Sequence, residues 1–315
     1  MRYLVTGGAG FIGSNLCHRL LDDGHSVACL DDLSTGRQRN IKDILTNSKF
    51  EFFNHDLTKP FFPDRIDAIF NLACPASPVH YQYNPIRTLK MGTLAMYNVL
   101  GMATRFNVPI LQASTSEVYG DPKEHPQSES YWGHVNPVGP RACYDESKRL
   151  AETISILYFQ QYQVPVKIAR PFNVYGPYLN LDDGRIIPDF MSNAMKNSEI
   201  VIHSDGTPTR SFCYASDAIT AFFKLLFSDH NGIAFNVGND EEISVKDVAD
   251  MIQKIMEKPI SIKMIKSNDP NYTKDNPQRR CPDLSLIKSS VNYTPKINFE
   301  EGLKRIYEWY KGISE

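Results

Sequence analysis

Tyr144 and Lys148 are the two side chains of this sequence whose types and spacing best suit chemistry. They stand four positions apart at the start of an amphipathic run, so on a helix both would project from one face. An ammonium group one turn from a phenol lowers the phenol pKa from about 10 towards neutrality, which makes the phenol a usable general base. Tyrosine and lysine at this spacing also occur on ordinary solvated helix faces, so the pair alone does not establish a site.

A hydroxyl-rich segment earlier in the chain supplies further polar groups. Residues 108–113 form a short apolar run typical of a buried strand, and Thr115, Ser116 and Glu117 follow it. Open parallel sheets place their ligands at the carboxyl ends of the strands. We therefore expect these three side chains at the sheet edge where Tyr144 lies.

The amino terminus reads as a strand, a glycine-rich turn and a helix. Residues 3–6 are apolar and lead into a run of glycines at residues 7–13. Glycines let the backbone turn tightly and approach a pyrophosphate, whose charge is met by free N–H groups at the helix start. The cofactor-binding residues predicted in this segment are Gly7, Gly10, Phe11, Ile12 and Gly13.

Asp31 indicates which dinucleotide binds. It follows a second apolar strand, residues 26–30, about 20 residues beyond the glycines, where an acidic side chain would take the ribose hydroxyls. A carboxylate there would repel a 2′-phosphate, so NAD is favoured over NADP. Arg37 and Arg39 lie nearby in the sequence and leave NADP open, and an ordinary turn residue is the alternative for Asp31.

Two further apolar runs, residues 50–54 and 66–72, continue the pattern. Asp56 and Leu57, just beyond the third strand, are expected near the adenine, with a solvated loop acid as the alternative for Asp56. Strands that alternate with helices in this way predict an α/β fold with a parallel, doubly wound sheet, that is, a Rossmann fold. A proline-rich loop at residues 74–81 is expected to pass over the nicotinamide side of the cofactor.

The pattern changes in the second half of the chain, where short strands alternate with helices. This favours a smaller carboxyl-terminal α/β substrate lid. We divide the chain into an NAD-binding domain at residues 1–171, which also receives residues 212–238, and a mainly substrate-binding domain at residues 172–315. Residues 266–280 are polar and contain prolines, so a loop is predicted there.

Three arginines of this half, Arg185, Arg210 and Arg279, are predicted to lie in separate loops. Guanidinium groups bind phosphate oxygens bidentately, so these side chains are candidates for holding a diphosphate. The alternative for each of them is a solvated surface residue.

The composition excludes several classes of function. The 315 residues carry 34 basic and 36 acidic side chains, a formal charge of −2, with no basic stripe to suggest nucleic acid or an anionic membrane. No apolar stretch approaches the roughly 18 residues of a membrane span, and the first strand begins at once, without room for a signal peptide. The six cysteines are scattered without zinc-ligand spacing, so neither a metal site nor disulfides are expected. We expect a cytoplasmic protein that acts on a small molecule.

Short stretches along nearly the whole chain match the motifs of a known family. They are Asn71-Leu-Ala-Cys-Pro-Ala-Ser-Pro78, Ser114-Thr-Ser-Glu-Val-Tyr-Gly-Asp-Pro122, His125-Pro-Gln127, Tyr131-Trp-Gly-His-Val-Asn-Pro137, Gly139-Pro-Arg-Ala-Cys-Tyr-Asp-Glu146, Phe172-Asn173, Asp183-Gly-Arg185, Thr209-Arg-Ser-Phe212 and Pro277-Gln-Arg-Arg280. On these stretches the chain resembles the extended short-chain dehydrogenase/reductases and, within that superfamily, the UDP-glucuronic acid decarboxylases, also called UDP-xylose synthases.

The resemblance implies catalytic roles for five residues. Tyr144 would be the base that takes the proton from the sugar 4-hydroxyl, and Thr115 would hydrogen-bond the same hydroxyl. Lys148 would lower the pKa of Tyr144 and hold the nicotinamide ribose. Glu117 and Arg210 match the carboxylate and the guanidinium that such decarboxylases use for the steps at C5.

The resemblance also implies which residues contact the two ligands. Leu72, Tyr144 and Lys148 join the cofactor-binding residues already named. The residues expected at the nucleotide sugar are Pro78, Tyr81, Ser116, Asn173, Arg185, Arg210 and Arg279.

The implied reaction oxidises C4 of UDP-glucuronate, releases carbon dioxide from the resulting β-keto acid and reduces C4 again to give UDP-xylose, with NAD regenerated. A nucleotide-sugar epimerase or a 4,6-dehydratase with the same Tyr144 and Lys148 remains an alternative, as does a non-catalytic sensor of NAD and a nucleotide sugar. Ser116 favours the decarboxylase, because related dehydratases usually place an aspartate acid there, and a small serine suits a substrate whose C6 is a carboxylate.

Gly92 departs from the family pattern. It stands where many members have an asparagine that supports the active-site water network. Glycine costs up to about 1 kcal/mol in a helix interior, so a local distortion or a close backbone approach is expected at this position.

A homodimer is also expected. Met96 and Leu100 on one predicted helix, and Ile154 and Leu157 on another, are apolar side chains on faces that the sheet does not need. Members of the family pair through these two helices as a four-helix bundle.

Overall fold

The structure, a computed structural model, describes residues 1–265 and 277–314. Its strands, numbered along the chain, are β1 (Arg2–Thr6), β2 (Ser26–Asp31), β3 (Phe50–Asn54), β4 (Ala68–Asn71), β5 (Ile110–Ala113), β6 (Val166–Pro171), β7 (Val174–Tyr175), β8 (Glu199–Ile202), β9 (Thr209–Ser211), β10 (Cys213–Tyr214), β11 (Ile233–Val237), β12 (Glu242–Ser244), β13 (Ser261–Met264) and β14 (Arg279–Arg280). Its α-helices are α1 (Phe11–Asp22), α2 (Pro78–Tyr83), α3 (Pro85–Phe106), α4 (Ala142–Tyr162), α5 (Ile186–Asn197), α6 (Ala215–Leu226), α7 (Val245–Met256), α8 (Ser285–Val291) and α9 (Phe299–Ser314).

The central sheet has seven parallel strands in the order β11-β6-β5-β4-β1-β2-β3. β4 and β5 are buried along their whole length, as expected for strands covered by helices on both faces. The predicted parallel α/β fold is therefore confirmed. The strand order changes direction between β1 and β4, since β2 and β3 lie on one side of β1 and the later strands lie on the other. This places the glycine-rich turn after β1 at a ligand-binding edge.

The second half of the chain contributes to two separate cores. α6 packs against the sheet, and β11 pairs with β6 as its last strand. α5, α7 and α9 surround a second apolar core that includes Met191, Ile252 and Leu303. The division into two domains at residue 171, with residues 212–238 returning to the first, remains a prediction.

Residues 266–276 of the predicted loop at 266–280 lie outside the described residues. Its end is a strand rather than a loop, because Arg279 and Arg280 form β14 and pair in parallel with Thr209 and Arg210 of β9. The proline-rich loop also differs from the prediction, since α2 begins within it at Pro78. A proline at the start of a helix has no intrahelical hydrogen bond to lose, which explains why the proline-rich composition concealed this turn.

α3 passes close to α4 at Gly92. A Cβ atom at this position would lie 2.5 Å from Cβ and 2.6 Å from Oγ of Ser147, which precedes Lys148 in α4. The expected close backbone approach is thus present, and an asparagine here would force the two helices apart.

Three of the four side chains named for a dimer contact lie in the core. Met96, Leu100 and Ile154 are each at most 4 % exposed, because they face the sheet rather than solvent. That part of the prediction was wrong, while Leu157 is 54 % exposed. The large apolar side chains that α3 and α4 do expose are Ile86, Leu89, Leu94, Tyr97, Leu150, Leu157 and Tyr162.

Within the part of the chain that the structure describes, no helix is both long and apolar enough to cross a membrane. All six cysteines are free thiols. The same described residues contain no group of three or more His, Cys, Asp or Glu side chains arranged to hold a metal ion.

Candidate active site

Tyr144 and Lys148 lie in the first two turns of α4, and both are buried against the end of β5. The Lys148 ammonium donates to the backbone oxygen of Ala113 at 2.8 Å and lies 5.8 Å from the centre of the Tyr144 ring. Thr115 hydrogen-bonds the Tyr144 phenol. The structure therefore brings together the predicted base, the hydroxyl beside it and the predicted ammonium group.

The pKa of Tyr144 is shifted in the direction opposite to our expectation. Burial raises it well above its ordinary value, and the hydrogen bond from Thr115 offsets only part of that effect. The expected lowering of the Tyr144 pKa by Lys148 is therefore wrong. The physical reason is that burial penalises the phenolate, while the ammonium of Lys148 is directed at a backbone carbonyl.

Tyr81 of α2 lies directly against the Tyr144 ring. The two rings are stacked, with centres 5.0 Å apart and planes inclined by 5°. Tyr81 is 1 % exposed, and its hydroxyl has no hydrogen-bond partner among the described residues. Stacking of this kind fixes the plane of the Tyr144 ring.

Glu117 lies in a single 3₁₀ turn that follows β5, at the centre of an ionic cluster. Arg280 binds its two carboxylate oxygens at 2.5 and 2.8 Å, and Arg141 binds it from the start of α4. Burial favours the neutral acid, but the two guanidinium groups outweigh burial and lower the Glu117 pKa to about 2. Glu117 is thus a fixed anion at neutral pH.

Asp145 is a second carboxyl group in this cluster. It is 4 % exposed, one of its oxygens lies 3.9 Å from Arg141 Nε, and the other has no hydrogen-bond partner in the described chain. Burial and the negative charge of Glu117 raise the Asp145 pKa to about 8. The cluster therefore combines one ionised and one protonated carboxyl group.

Sequence reasoning missed Arg141, Asp145 and Arg280. Arg141 and Asp145 stand four positions apart on either side of Tyr144, which is a signal that was present in the sequence. Arg280 was passed over in favour of Arg279. Only one of two neighbouring strand residues can face the site, and the sequence does not say which.

Arg210 and Arg279 occupy different faces of the same small sheet. Arg210 is paired with Arg280 in register, so both point to the side on which Arg280 meets Glu117. Arg210 donates to the backbone oxygen of Thr209 at 2.7 Å. Arg279 instead binds Glu242 at 2.5 Å near the surface, and its predicted role in substrate binding stays a prediction.

The glycine-rich turn forms a close cradle at the end of β1. Gly7 has a φ of +68°, and a Cβ atom there would lie 2.9 Å from Cα of Ala73. A Cβ atom on Gly13 would lie 2.1 Å from the carbonyl oxygen of Gly7. Only glycine fits at both positions, as a backbone that approaches a pyrophosphate requires.

Asp31 closes the far side of this cradle. Its carboxylate accepts hydrogen bonds from the backbone N–H groups of Ala9 at 3.0 Å and Leu33 at 2.8 Å. Burial is the main influence on its pKa, which is raised. The group thus lies beside the turn, as the predicted contact with a ribose requires.

Arg37 and Arg39, the two arginines because of which NADP remained an alternative cofactor, are bound by another segment of the chain. Arg37 donates to Asp182 at 2.5 and 2.7 Å, and Arg39 donates to Asn180 at 2.9 Å. Both guanidinium groups therefore bridge the ribose side of the cradle to residues 180–182.

Five other predicted cofactor residues lie in this half of the chain. Phe11 and Ile12 begin α1, and Leu72 lies beside Gly7 just after β4. Leu57 is 1 % exposed and packs in the core. The carboxylate of Asp56 accepts two hydrogen bonds from Thr58, so it closes a local turn as well as lying near the predicted adenine position.

The remaining predicted substrate residues lie in several different elements, and their role stays a prediction. Pro78 begins α2, and Ser116 is buried in the 3₁₀ turn. Asn173 donates to the backbone oxygen of Ser211 at 2.9 Å. Arg185 pairs with Asp183, and its guanidinium lies 5.9 Å from the centre of the Phe11 ring, close to the glycine-rich turn.

Comparisons with known proteins agree with this geometry. Residues 3–238 match the model of the NAD dependent epimerase/dehydratase family. The chain is 43 % identical over 312 residues to UDP-glucuronic acid decarboxylase 6 of Arabidopsis thaliana, covering 99 % of this chain and 89 % of the relative. It is 42 % identical over 310 residues to UDP-glucuronic acid decarboxylase 1 of Xenopus tropicalis, covering 98 % and 72 %. Among solved structures, a variant of UDP-glucuronic acid 4-epimerase from Bacillus cereus, in complex with a fluorinated UDP-glucuronic acid and NAD, has a TM-score of 0.86 at 27 % identity, covering 99 % of this chain and 100 % of the other.

Proposed function

The chain belongs to the NAD dependent epimerase/dehydratase family, and from this membership we propose that it is a decarboxylase that converts UDP-glucuronate to UDP-xylose through a 4-keto intermediate. The observation that carries the proposal is the 42 to 43 % identity, over nearly the whole chain, to UDP-glucuronic acid decarboxylases of a plant and a vertebrate. Identity to the epimerase structure is 27 % over the same extent.

The cofactor is NAD, and the residues present fit it. The cradle at Gly7 and Gly13 would admit a pyrophosphate, and Asp31 would contact the ribose that carries the 2′-phosphate in NADP. Arg37 and Arg39, which could otherwise attract that phosphate, are engaged by residues 180–182. When bound, the cofactor supplies the hydride acceptor for C4 of the sugar and returns the hydride at the end of the cycle.

Tyr144 would take the proton of the sugar 4-hydroxyl, with Thr115 orienting the same hydroxyl and Lys148 holding the nicotinamide ribose. The stack with Tyr81 holds the Tyr144 ring, and with it the phenol oxygen, in place.

The ionic cluster suits a substrate with a carboxylate at C6. Arg141, Arg210 and Arg280 bring three guanidinium groups to one side of the site, against the single fixed anion of Glu117. Once C4 is a ketone, the C5–C6 bond breaks with its electrons passing into the carbonyl, so this step needs little acid catalysis. C5 must then receive a proton before C4 is reduced.

We also propose that the protein is a homodimer formed through α3 and α4. Seven large apolar side chains on these two helices are at least 41 % exposed, and they would be covered by the same helices of a second copy. A cytoplasmic location is proposed on the six free thiols, four of them buried, which suit a reducing compartment.

The proposed reaction can be tested by incubating the purified protein with NAD and either UDP-glucuronate or UDP-glucose. The products are then identified by mass spectrometry. Loss of carbon dioxide from UDP-glucuronate alone is expected. A product isomeric with its substrate would indicate an epimerase, loss of water from UDP-glucose would indicate a dehydratase, and binding without turnover would indicate a sensor.

A further inference from the structure

Asp145 occupies a position that the proposed reaction does not yet use. It is 4 % exposed and lies in α4 beside Tyr144, and one of its carboxyl oxygens has no hydrogen-bond partner in residues 1–265 and 277–314. On one side it faces the cluster of Glu117, Arg141 and Arg280. A buried polar atom without a partner is costly, so its retention calls for a function.

A polar cavity of about 340 Å³ is lined in part by Asp145. Its wall consists of residues 120–121, residues 134–136, Arg141 and Asp145. The polar members, among them Asp121, His134 and Asn136, can hydrogen-bond water, and the volume admits several water molecules. Asp145 thus lines this cavity and also feels the charge of Glu117.

The proposed reaction needs a proton from solvent in every cycle. The C5–C6 bond breaks, C6 leaves as carbon dioxide, and the electron pair passes into an enolate at C4 and C5. The proton that Tyr144 takes from the 4-hydroxyl returns to that oxygen when C4 is reduced. The new C5–H bond therefore requires one further proton, and no oxidant or reductant beyond the cofactor is needed.

We propose that Asp145 relays this proton, passing it from the water-accessible cavity through Glu117 to C5. This inference rests on the proposed decarboxylation. Asp145 gives its proton to the Glu117 carboxylate, Glu117 passes that proton to C5 and is ionised again, and water in the cavity then reprotonates Asp145. Asp145 acts through Glu117 and does not itself touch the reacting carbon.

The charges around Asp145 explain why it, rather than Glu117, stores the proton. The ionisable groups that face it from the elements packed around it are Tyr81, Glu117, Asp121, His134, Arg141, Cys143, Tyr144, Glu146 and Arg280. Glu117 takes both guanidinium contacts and stays ionised, which leaves Asp145 as the buried carboxyl group that keeps its proton at neutral pH.

The test compares Asp145→Asn with the parent protein in single-turnover experiments that follow nicotinamide absorbance. Formation of NADH reports oxidation of C4, and its decay reports the steps after it. We expect Asp145→Asn to form NADH within two-fold of the parent rate and to consume it at least ten-fold more slowly. In the parent the decay of NADH should slow as pH rises through about 8, since Asp145 then loses the proton that it would pass on. In the variant this pH dependence should be absent.

Two further variants separate a relay from a structural role. Asp145→Glu retains a carboxyl group and should restore both the decay and its dependence on pH. Glu146→Gln, which makes the same chemical change at the adjacent half-exposed position, should behave as the parent. If Asp145→Asn does not fold, Asp145→Glu still tests the proposal, because an altered carboxyl position should shift the pH at which the decay slows.

Different results would contradict the proton relay and the proposed function. A parent protein that releases no carbon dioxide from UDP-glucuronate overturns the proposed function. A parent that does release it, with Asp145→Asn retaining the parent decay and its pH dependence, overturns the relay alone. Equal slowing of NADH formation and decay in Asp145→Asn, with the pH dependence unchanged, would show that Asp145 only positions Tyr144 and would also overturn the relay.

Discussion

Arg280 and Glu117 are 163 positions apart in the chain, and the guanidinium of Arg280 binds both carboxylate oxygens of Glu117, at 2.5 and 2.8 Å. This ion pair joins the small sheet of β9, β12 and β14 to the turn at the end of β5. The Arg280 and Glu117 side chains are only 6 % and 14 % exposed, so the pair holds β14 in a fixed position relative to the turn that carries Glu117. It also keeps Glu117 ionised, which is why the proton for C5 must be stored elsewhere.

Arg280→Gln should lower kcat for decarboxylation by roughly 100-fold, since it removes a buried charge-assisted donor from the reacting centre. It should also destabilise the fold, because Glu117 keeps only Arg141 as a charged partner. Arg279→Gln is the matched control on the neighbouring residue. Its side chain is 55 % exposed, so the change should leave the free energy of unfolding almost unaltered and, at a predicted substrate contact, affect KM rather than kcat. Equal effects of the two changes on kcat, or a rise in KM alone for Arg280→Gln, would contradict the assigned geometry.

Tyr144→Phe should abolish oxidation of C4 while leaving the cofactor bound. The change removes the proton acceptor and one hydrogen bond to Thr115, and the ring that stacks on Tyr81 remains. A loss of about 1 kcal/mol in stability is expected from the hydrogen bond. The measurement is NADH formation after mixing with UDP-glucuronate, with Tyr158→Phe on the same helix as the control. NADH appearing at the parent rate in Tyr144→Phe would remove Tyr144 from its role as base.

Gly92→Ala and Gly101→Ala make the same change in α3 with opposite expected results. A methyl group at Gly92 would meet Ser147 at 2.5 Å, whereas nothing lies within 4 Å at Gly101. Gly101→Ala should raise the free energy of unfolding by up to about 1 kcal/mol through helix propensity. Gly92→Ala should lower it and reduce turnover, because it displaces α4 and with it Lys148. Thermal unfolding and kcat of the two variants test these expectations. An increased stability of Gly92→Ala would contradict them and show that the two helices repack freely.

Leu94→Glu combined with Leu157→Glu should convert the proposed dimer to a monomer. Both positions are about half exposed, and burying two carboxylates in an apolar contact between copies would be strongly unfavourable. Sedimentation equilibrium at micromolar concentration gives the mass of each form. Leu94→Gln with Leu157→Gln serves as the uncharged control. A parent protein that sediments as a monomer would exclude the proposed dimer.

The features that sequence predicted well have local causes. Gly7 and Gly13 are required by the tight turn itself, and β1 and β5 are short apolar runs whose character is visible without any knowledge of packing. Tyr144 and Lys148 were placed on one helix by their spacing alone. In each case the physical requirement lies within a few neighbouring residues.

What sequence could not predict depends on which face a residue turns to the core. Arg279 and Arg280 differ by one position, and a strand sends them to opposite sides. Met96 was expected on an outer face, but it lies 1 % exposed against the sheet. The raised pKa of Tyr144 follows from burial, which no local pattern reveals.

The most direct test of the account is a turnover experiment with UDP-glucuronate carrying an isotopic label at the carboxylate carbon. The account predicts labelled carbon dioxide and an unlabelled pentose nucleotide in equal amounts, with no lasting accumulation of NADH. A labelled nucleotide sugar of unchanged mass, formed without carbon dioxide, would contradict it and would identify the reaction as an epimerisation.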